Sequence, residues 1–304
     1  MATAAARRRV IVVIAVSFLS GSVLLRAVGG ANSAAATPAR GTDRRATPLS
    51  PSARASDRDA RLAAVLTPVL RAHAGTLAVG VVDPAAGITV TYHGRRSFDT
   101  ASIVKADILA VLLLRHQRSD TDLSEDEKEL AAKMIEESDN DAASALWDVI
   151  QRAPGLEAGN AALGLRGIVP GPGGYWGLTT TTVTGQLNLL SALTSARSPL
   201  RASARRYELG LMRGVDPGQD WGVTAAASAG TRPAIKNGWL PLAPDGQWVI
   251  NSIGVISHAG QRLLVAVLSS GQPSESAGIG QVQAAARAAA TAVTAPVTGR
   301  SPSG

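Results

Sequence analysis

The sequence predicts an α+β fold, an antiparallel sheet flanked by helices with a separate helical lobe. Strand-like segments lie towards both ends of the chain, a long helical stretch separates them, and turn residues join the strands closely enough for hairpins. A chain of 304 residues with 45% apolar composition can bury one large core.

Arg7, Arg8 and Arg9 precede the apolar run Val10 to Leu25 and the small residues Ala31 to Ala36, which is the order of a secretory leader. The run is shorter than the roughly 20 residues a spanning helix needs, so residues 1–30 are expected as a signal peptide, with an N-terminal anchor as the alternative. Export to the cell envelope or medium follows. Residues 31–56 are Ala, Ser, Thr, Pro and Arg with almost no large apolar side chain, the composition of a disordered linker.

Regular structure is expected from Asp57, with Ser56 as cap and Leu62, Val65, Leu66, Val69 and Leu70 at helical spacing. Thr76 to Val82 and Ile88 to Tyr92 flank the turn Asp83-Pro84-Ala85-Ala86-Gly87 and predict a hairpin. A mostly helical middle runs from Ser102 to about Leu193, broken by Gly171-Pro172-Gly173-Gly174. Strands return at Ala234 to Trp239, Trp248 to Ser257 and Arg262 to Ser269, with turns at Ala243-Pro244-Asp245-Gly246 and His258-Ala259-Gly260. The alanine-rich stretch Gly278 to Val293 predicts a closing helix. One domain over 57–294 and a disordered tail at 295–304 complete the expected organisation, with a cleft between sheet and lobe as the place for a site.

The absence of cysteine excludes disulfides, thiolate metal sites and a cysteine nucleophile. His73, His93, His116 and His258 show no metal-ligand spacing, so neither metal nor cofactor is expected. The net charge of +7 sits in the N-terminal segment: residues 1–60 hold nine Arg and three Asp, leaving 21 basic against 20 acidic residues elsewhere. A nucleic-acid-binding face is therefore not expected.

Three short elements carry chemistry. Ser102-Ile103-Val104-Lys105 opens the apolar run Ile108 to Leu114, and a spacing of three puts both side chains on one helical face. A desolvated lysine there can take the proton of a serine nucleophile. An isolated Ser-x-x-Lys is usually a cap beside a solvated lysine. Lysine is scarce, however, with four against 26 arginines, and Lys105 abuts an apolar run. Ser138-Asp139-Asn140 separates two helical segments, and alone reads as a cap cluster. Lys236-Asn237-Gly238, with Trp239 next, lies on a predicted strand.

In this order the three elements are close to the signature of class A β-lactamases and penicillin-binding proteins. The chain resembles the class A β-lactamase family over roughly residues 58–294, including Pro154-Gly155-Leu156, Leu163-Gly164 and Thr179 to Thr182 of the helical lobe. The resemblance implies a β-lactamase/transpeptidase-like fold with Ser102 acylated, Lys105 as base or relay, and Ser138 passing a proton to the leaving nitrogen. It implies that Asn140 contacts the ligand amide and that Lys236 supplies positive potential for a ligand carboxylate. It implies further that Asn237, Gly238 and Trp239 line the binding strand and that the Ser102 and Trp239 N–H groups form an oxyanion hole.

Three departures bear on function. No Asp or Glu lies between Glu157 and Glu208, so the omega-loop glutamate that activates the deacylating water in that family has no counterpart. Asn237 stands where the family has Thr or Ser. No arginine can be placed on the ligand carboxylate; Arg213, Arg232 and Arg262 are the candidates. The reading is a serine hydrolase acting through an acyl-enzyme on β-lactams, with deacylation slow. The alternatives are a D-Ala-D-Ala carboxypeptidase or penicillin-binding protein acting on peptidoglycan stem peptides, and a non-catalytic binding protein on the same scaffold. A monomer, touching the membrane only through its N-terminal segment, is expected.

Overall fold

A computed structural model describes residues 51–242 and 245–295, without the side chains of 51–54. The expected leader, the linker up to residue 50, Ala243 and Pro244 of the predicted turn, and the tail from 296 lie outside the described residues. Helix α1 (Pro51–Ala72) begins at Pro51 rather than Asp57, which corrects the expected linker: residues 51–56 are helical and Ser56 is no cap. Proline suits a first helical turn, where its missing N–H has no partner to lose.

The predicted hairpin is β1 (Thr76–Asp83) and β2 (Ile88–Tyr92). Asp83 Oδ1 accepts from the amides of Ala85 and Ala86 at 3.0 Å each, which closes the turn. Four elements follow at the start of the lobe: β3 (Ser97–Asp99), a 3-10 turn (Ala101–Ile103), α2 (Val104–Ser119) and α3 (Glu125–Ala132). A π turn (Lys133–Glu137), α4 (Asn140–Val149) and α5 (Arg152–Leu163) continue it. Next come β4 (Ile168–Val169), β5 (Thr180–Thr182), α6 (Val183–Thr194) and α7 (Ala202–Arg213). The late strands are β6 (Ala234–Leu242), β7 (Gln247–His258) and β8 (Gln261–Gln272), and α8 (Glu275–Thr294) closes the chain.

The main sheet has the order β2-β1-β8-β7-β6, antiparallel throughout. It brings the first and last strands of the chain together, as the strand distribution predicts. Alternation along β1 sends Leu77, Val79 and Val81 to one face, where they pack with Leu62 and Leu66 of α1 and Val282, Ala285, Ala286 and Ala289 of α8. The alanines let α8 approach the sheet closely. The other face, with Ala78, Leu264, Ala266 and Leu268, meets the lobe. Gly80 makes that contact possible, since a Cβ there would lie 2.3 Å from Val183 Cγ1 of α6.

The lobe centres on α2, buried from Val104 to Leu114 on every side. A second sheet, β3-β5-β4, was not predicted. Thr180 to Thr182 form its central strand, and the following helix starts at Val183 with Thr182 Oγ1 capping Gly185 N at 3.0 Å.

Candidate active site

The site lies where the 3-10 turn, the π turn and β6 meet. Ser102 sits within the 3-10 turn, not in the first turn of α2 as the motif spacing suggests, and its side chain is half-buried. Ala101, just before it, adopts φ 47°, a left-handed conformation costing a non-glycine residue about 1 kcal/mol or more. The backbone here is pinned from two sides. Thr100 N donates to Thr179 O at 2.7 Å, and Asn251 of β7 donates from Nδ2 to Asp99 O at 2.8 Å and Thr100 O at 3.1 Å. Asn251 is buried, and its Oδ1 accepts from Ser269 N, so the sheet itself holds the turn.

Ser138 is strained in the same way, with φ 58° and ψ 34° after the π turn. Such one-turn π segments recur at functional sites because they re-aim the residue that follows. Asp139 then caps α4, its Oδ1 accepting from Ala142 N at 2.7 Å.

Two fully buried lysines converge on Ser138. Lys105 Nζ donates to Ser138 O at 2.6 Å, Ser138 Oγ at 3.1 Å and Asn140 Oδ1 at 2.8 Å, which uses all three of its N–H groups as an ammonium. Lys236 Nζ donates to Ser138 Oγ at 3.0 Å and to Asn237 O at 3.2 Å. Burial lowers Lys105 to a pKa of about 7, opposed by the charge of Asp139. Burial also pushes Lys236 well below the ordinary lysine range, and nearby Lys105 adds to the shift. A lysine that titrates near neutrality, as Lys105 does, is suited to moving protons.

Strand β6 closes the other side. A Cβ on Gly238 would fall 2.8 Å from the amide nitrogens of both Ser102 and Ile103, so only glycine lets the strand lie against the 3-10 turn that carries Ser102.

Ser102, Lys105, Ser138, Asn140, Lys236 and Gly238 are thus brought together. Asn237 lies apart from them: 1% exposed, it turns away and donates from Nδ2 to Gln219 O at 2.8 Å and Trp221 O at 3.1 Å, tethering that loop. Its place on β6 alternates with Lys236 and Gly238, which explains the turn. The Trp239 ring packs edge-on against Trp221 with centroids 5.8 Å apart. Arg213, Arg232 and Arg262 are all exposed, as expected of surface arginines.

Two residues were missed by sequence reasoning. Asn251 bears no local motif. Trp176 lies in the loop read as carboxylate-free; its ring centroid is 4.9 Å from Lys105 Nζ, and its Nε1–H donates to Ser144 Oγ at 3.1 Å. The loop of 172–178, with Trp176 and Tyr175, lines an 810 Å³ cleft together with Asp99, Ser144 and Leu240, Pro241 and Leu242 of β6.

Comparison with known proteins agrees with this fold. A sequence profile described as "Beta-lactamase enzyme family" matches residues 126–293, more than half of the chain, and the chain belongs to that family. The matched span contains Ser138, Asn140 and Lys236 and begins after Ser102 and Lys105. Proteins named "Putative lipoprotein LppW" from Mycobacterium bovis and Mycobacterium tuberculosis are 27% identical over 215 residues, 66% of this chain. The chain spans about 65% of the length of these relatives. Among solved structures, a class A β-lactamase from Bacteroides cellulosilyticus superposes with a TM-score of 0.68 at 14% identity, covering 78% of this chain and 98% of that one. A β-lactamase from Xanthomonas campestris gives 0.66 at 20%, with the same coverage. At these identities the likeness establishes the class A β-lactamase fold.

Proposed function

We propose that the protein is an exported serine hydrolase that forms an acyl-enzyme on Ser102 with β-lactams and releases it slowly. The observation that carries this reading is the placement of Ser138 Oγ between two buried lysines, 3.1 Å from Lys105 and 3.0 Å from Lys236. In this mechanism Ser102 Oγ bonds to the ligand carbonyl carbon while its proton passes to neutral Lys105. The carbonyl oxygen takes the charge against the Ser102 and Trp239 N–H groups. As the C–N bond breaks, Ser138 gives its proton to the nitrogen and recovers one from Lys105. Lys236 favours a ligand bearing a carboxylate. No hydrogen bond joins Ser102 Oγ to Lys105 Nζ before ligand binds, and such contacts commonly tighten only in the complex.

A penicillin-binding peptidase acting on D-Ala-D-Ala stem peptides uses the same residues. The carboxylate-free loop of 172–178 favours it, because an acyl-enzyme without a base for water persists. Envelope placement is supported by the name of the mycobacterial relatives, although this sequence has no cysteine to carry a lipid. Labelling with a fluorescent penicillin tests the proposal: Ser102→Ala should abolish the labelled band, and Lys105→Ala should slow its appearance by about 100-fold or more, as loss of a general base does. A band of unchanged intensity in Ser102→Ala would refute it.

A further inference from the structure

We propose that Trp176 is the positioning residue that walls Lys105 off from water and thereby preserves the acyl-enzyme. This rests on the acyl-enzyme reading above and adds the residue that governs its lifetime.

The ring is held on both sides. Its Nε1–H donates to Ser144 Oγ, which itself donates to Asn140 O at 2.8 Å, so the indole is tied to α4 beside the Lys105 ligand Asn140. Its own carbonyl accepts from Thr179 N at 3.0 Å, and Thr179 O accepts from Thr100 N, which joins the loop to the nucleophile turn. The ring therefore moves with the site. It lines the 810 Å³ cleft and stands over Lys105 Nζ, so it is the partition between them. Lys105 is 0% exposed, with Ser138 and Asn140 on its polar side. An aromatic face also attracts the ammonium form without accepting its proton.

Deacylation requires a water oxygen to bond to the acyl carbon, its proton to pass to a base, and Ser102 Oγ to leave with a proton returned to it. The charged and titratable groups near Lys105 Nζ are Lys236 and Asp139, and the Asp139 carboxylate is engaged at the α4 cap. The loop of 172–178 holds no carboxylate, and the carboxylates that line the cleft with Trp176 are Asp99 and Asp148. Neutral Lys105 is then the base within the Ser102, Ser138 and Asn140 cluster, and Trp176 denies it a water.

The test compares acyl-enzyme lifetimes by intact-protein mass after a brief penicillin pulse. Trp176→Ala should shorten the lifetime roughly tenfold or more with a smaller change in acylation, and Trp176→Glu by the about 100-fold that a positioned base supplies. Trp176→Phe, which restores a ring but not the Ser144 bond, should recover most of the wild-type lifetime. An unchanged lifetime in Trp176→Ala overturns the proposal. A second readout needs no acylation. With only four lysines, 13C-lysine NMR of the free protein resolves Lys105, whose ε-methylene should carry a ring-current shift that disappears in Trp176→Ala. Absence of that shift also overturns it, whereas a shift present in a protein that never acylates refutes the acyl-enzyme reading and leaves the shielding of Lys105 standing.

Discussion

At the residue scale the molecule accepts several costs at one place. Ala101 and Ser138 are left-handed without being glycine, and Lys105 and Lys236 are buried with no carboxylate paired to either amine. Each is unfavourable alone, and their meeting around one hydroxyl marks a site rather than a packing solution. A second buried group lies behind it. Asp107 of α2 and Glu208 of α7 are 0% exposed, and Asp107 Oδ2 accepts from Asn160 Nδ2 at 3.1 Å. Asp107 Oδ1 and both Glu208 oxygens have no protein partner. Burial raises Asp107 to a pKa of about 7, and raises Glu208 well above the usual range with help from Asp107.

A folded-state pKa above the unfolded value of about 3.9 means the stability associated with neutral Asp107 is complete below pH 4. It falls away as pH rises to about 7. Urea unfolding of wild type and Asp107→Asn between pH 5 and 8 checks this. The wild type should lose on the order of a few kcal/mol relative to the variant across that range, and parallel pH profiles would show that Asp107 is not the group responsible.

At the element scale, what could be read in advance depended on length and period. The apolar run after Lys105 is a fully buried helix, and the hairpin, the three late strands and the alanine-rich last helix stand where their patterns place them. The 3-residue strands β3 and β5 and the 2-residue β4 are too short to show a period, and their pairing is set across the fold. Ser124-x-x-Glu127 is a capping box at the start of α3 that the motif alone could have revealed. The approach of β6 to the Ser102 turn rests on Gly238. Gly238→Ala should push the strand from Ser102 and cut acylation by on the order of 100-fold, as loss of an oxyanion donor does. Stopped-flow acylation beside a thermal melt would check it, with the rate falling far more than the few degrees expected of Tm; unchanged acylation would contradict the role given to the strand.

At the scale of the whole molecule, the sheet joins both ends of the chain and sets a helical lobe against it, so Ser102, Ser138 and Lys236 meet although they are distant in sequence. The order of the motifs made that meeting legible. The place of Trp176 was not, because it depends on a glycine-rich segment without period, whereas the direction of Asn237 follows from alternation once Lys236 is set on the site side of β6. Family membership and fold leave the reaction itself to be measured. The most direct measurement is the intact mass of the protein through a time course with a penicillin, for wild type and Ser102→Ala. An acyl-enzyme on Ser102 gives an adduct of the penicillin's full mass that forms only in wild type and clears slowly; the absence of any adduct, or one that also forms in Ser102→Ala, would contradict it.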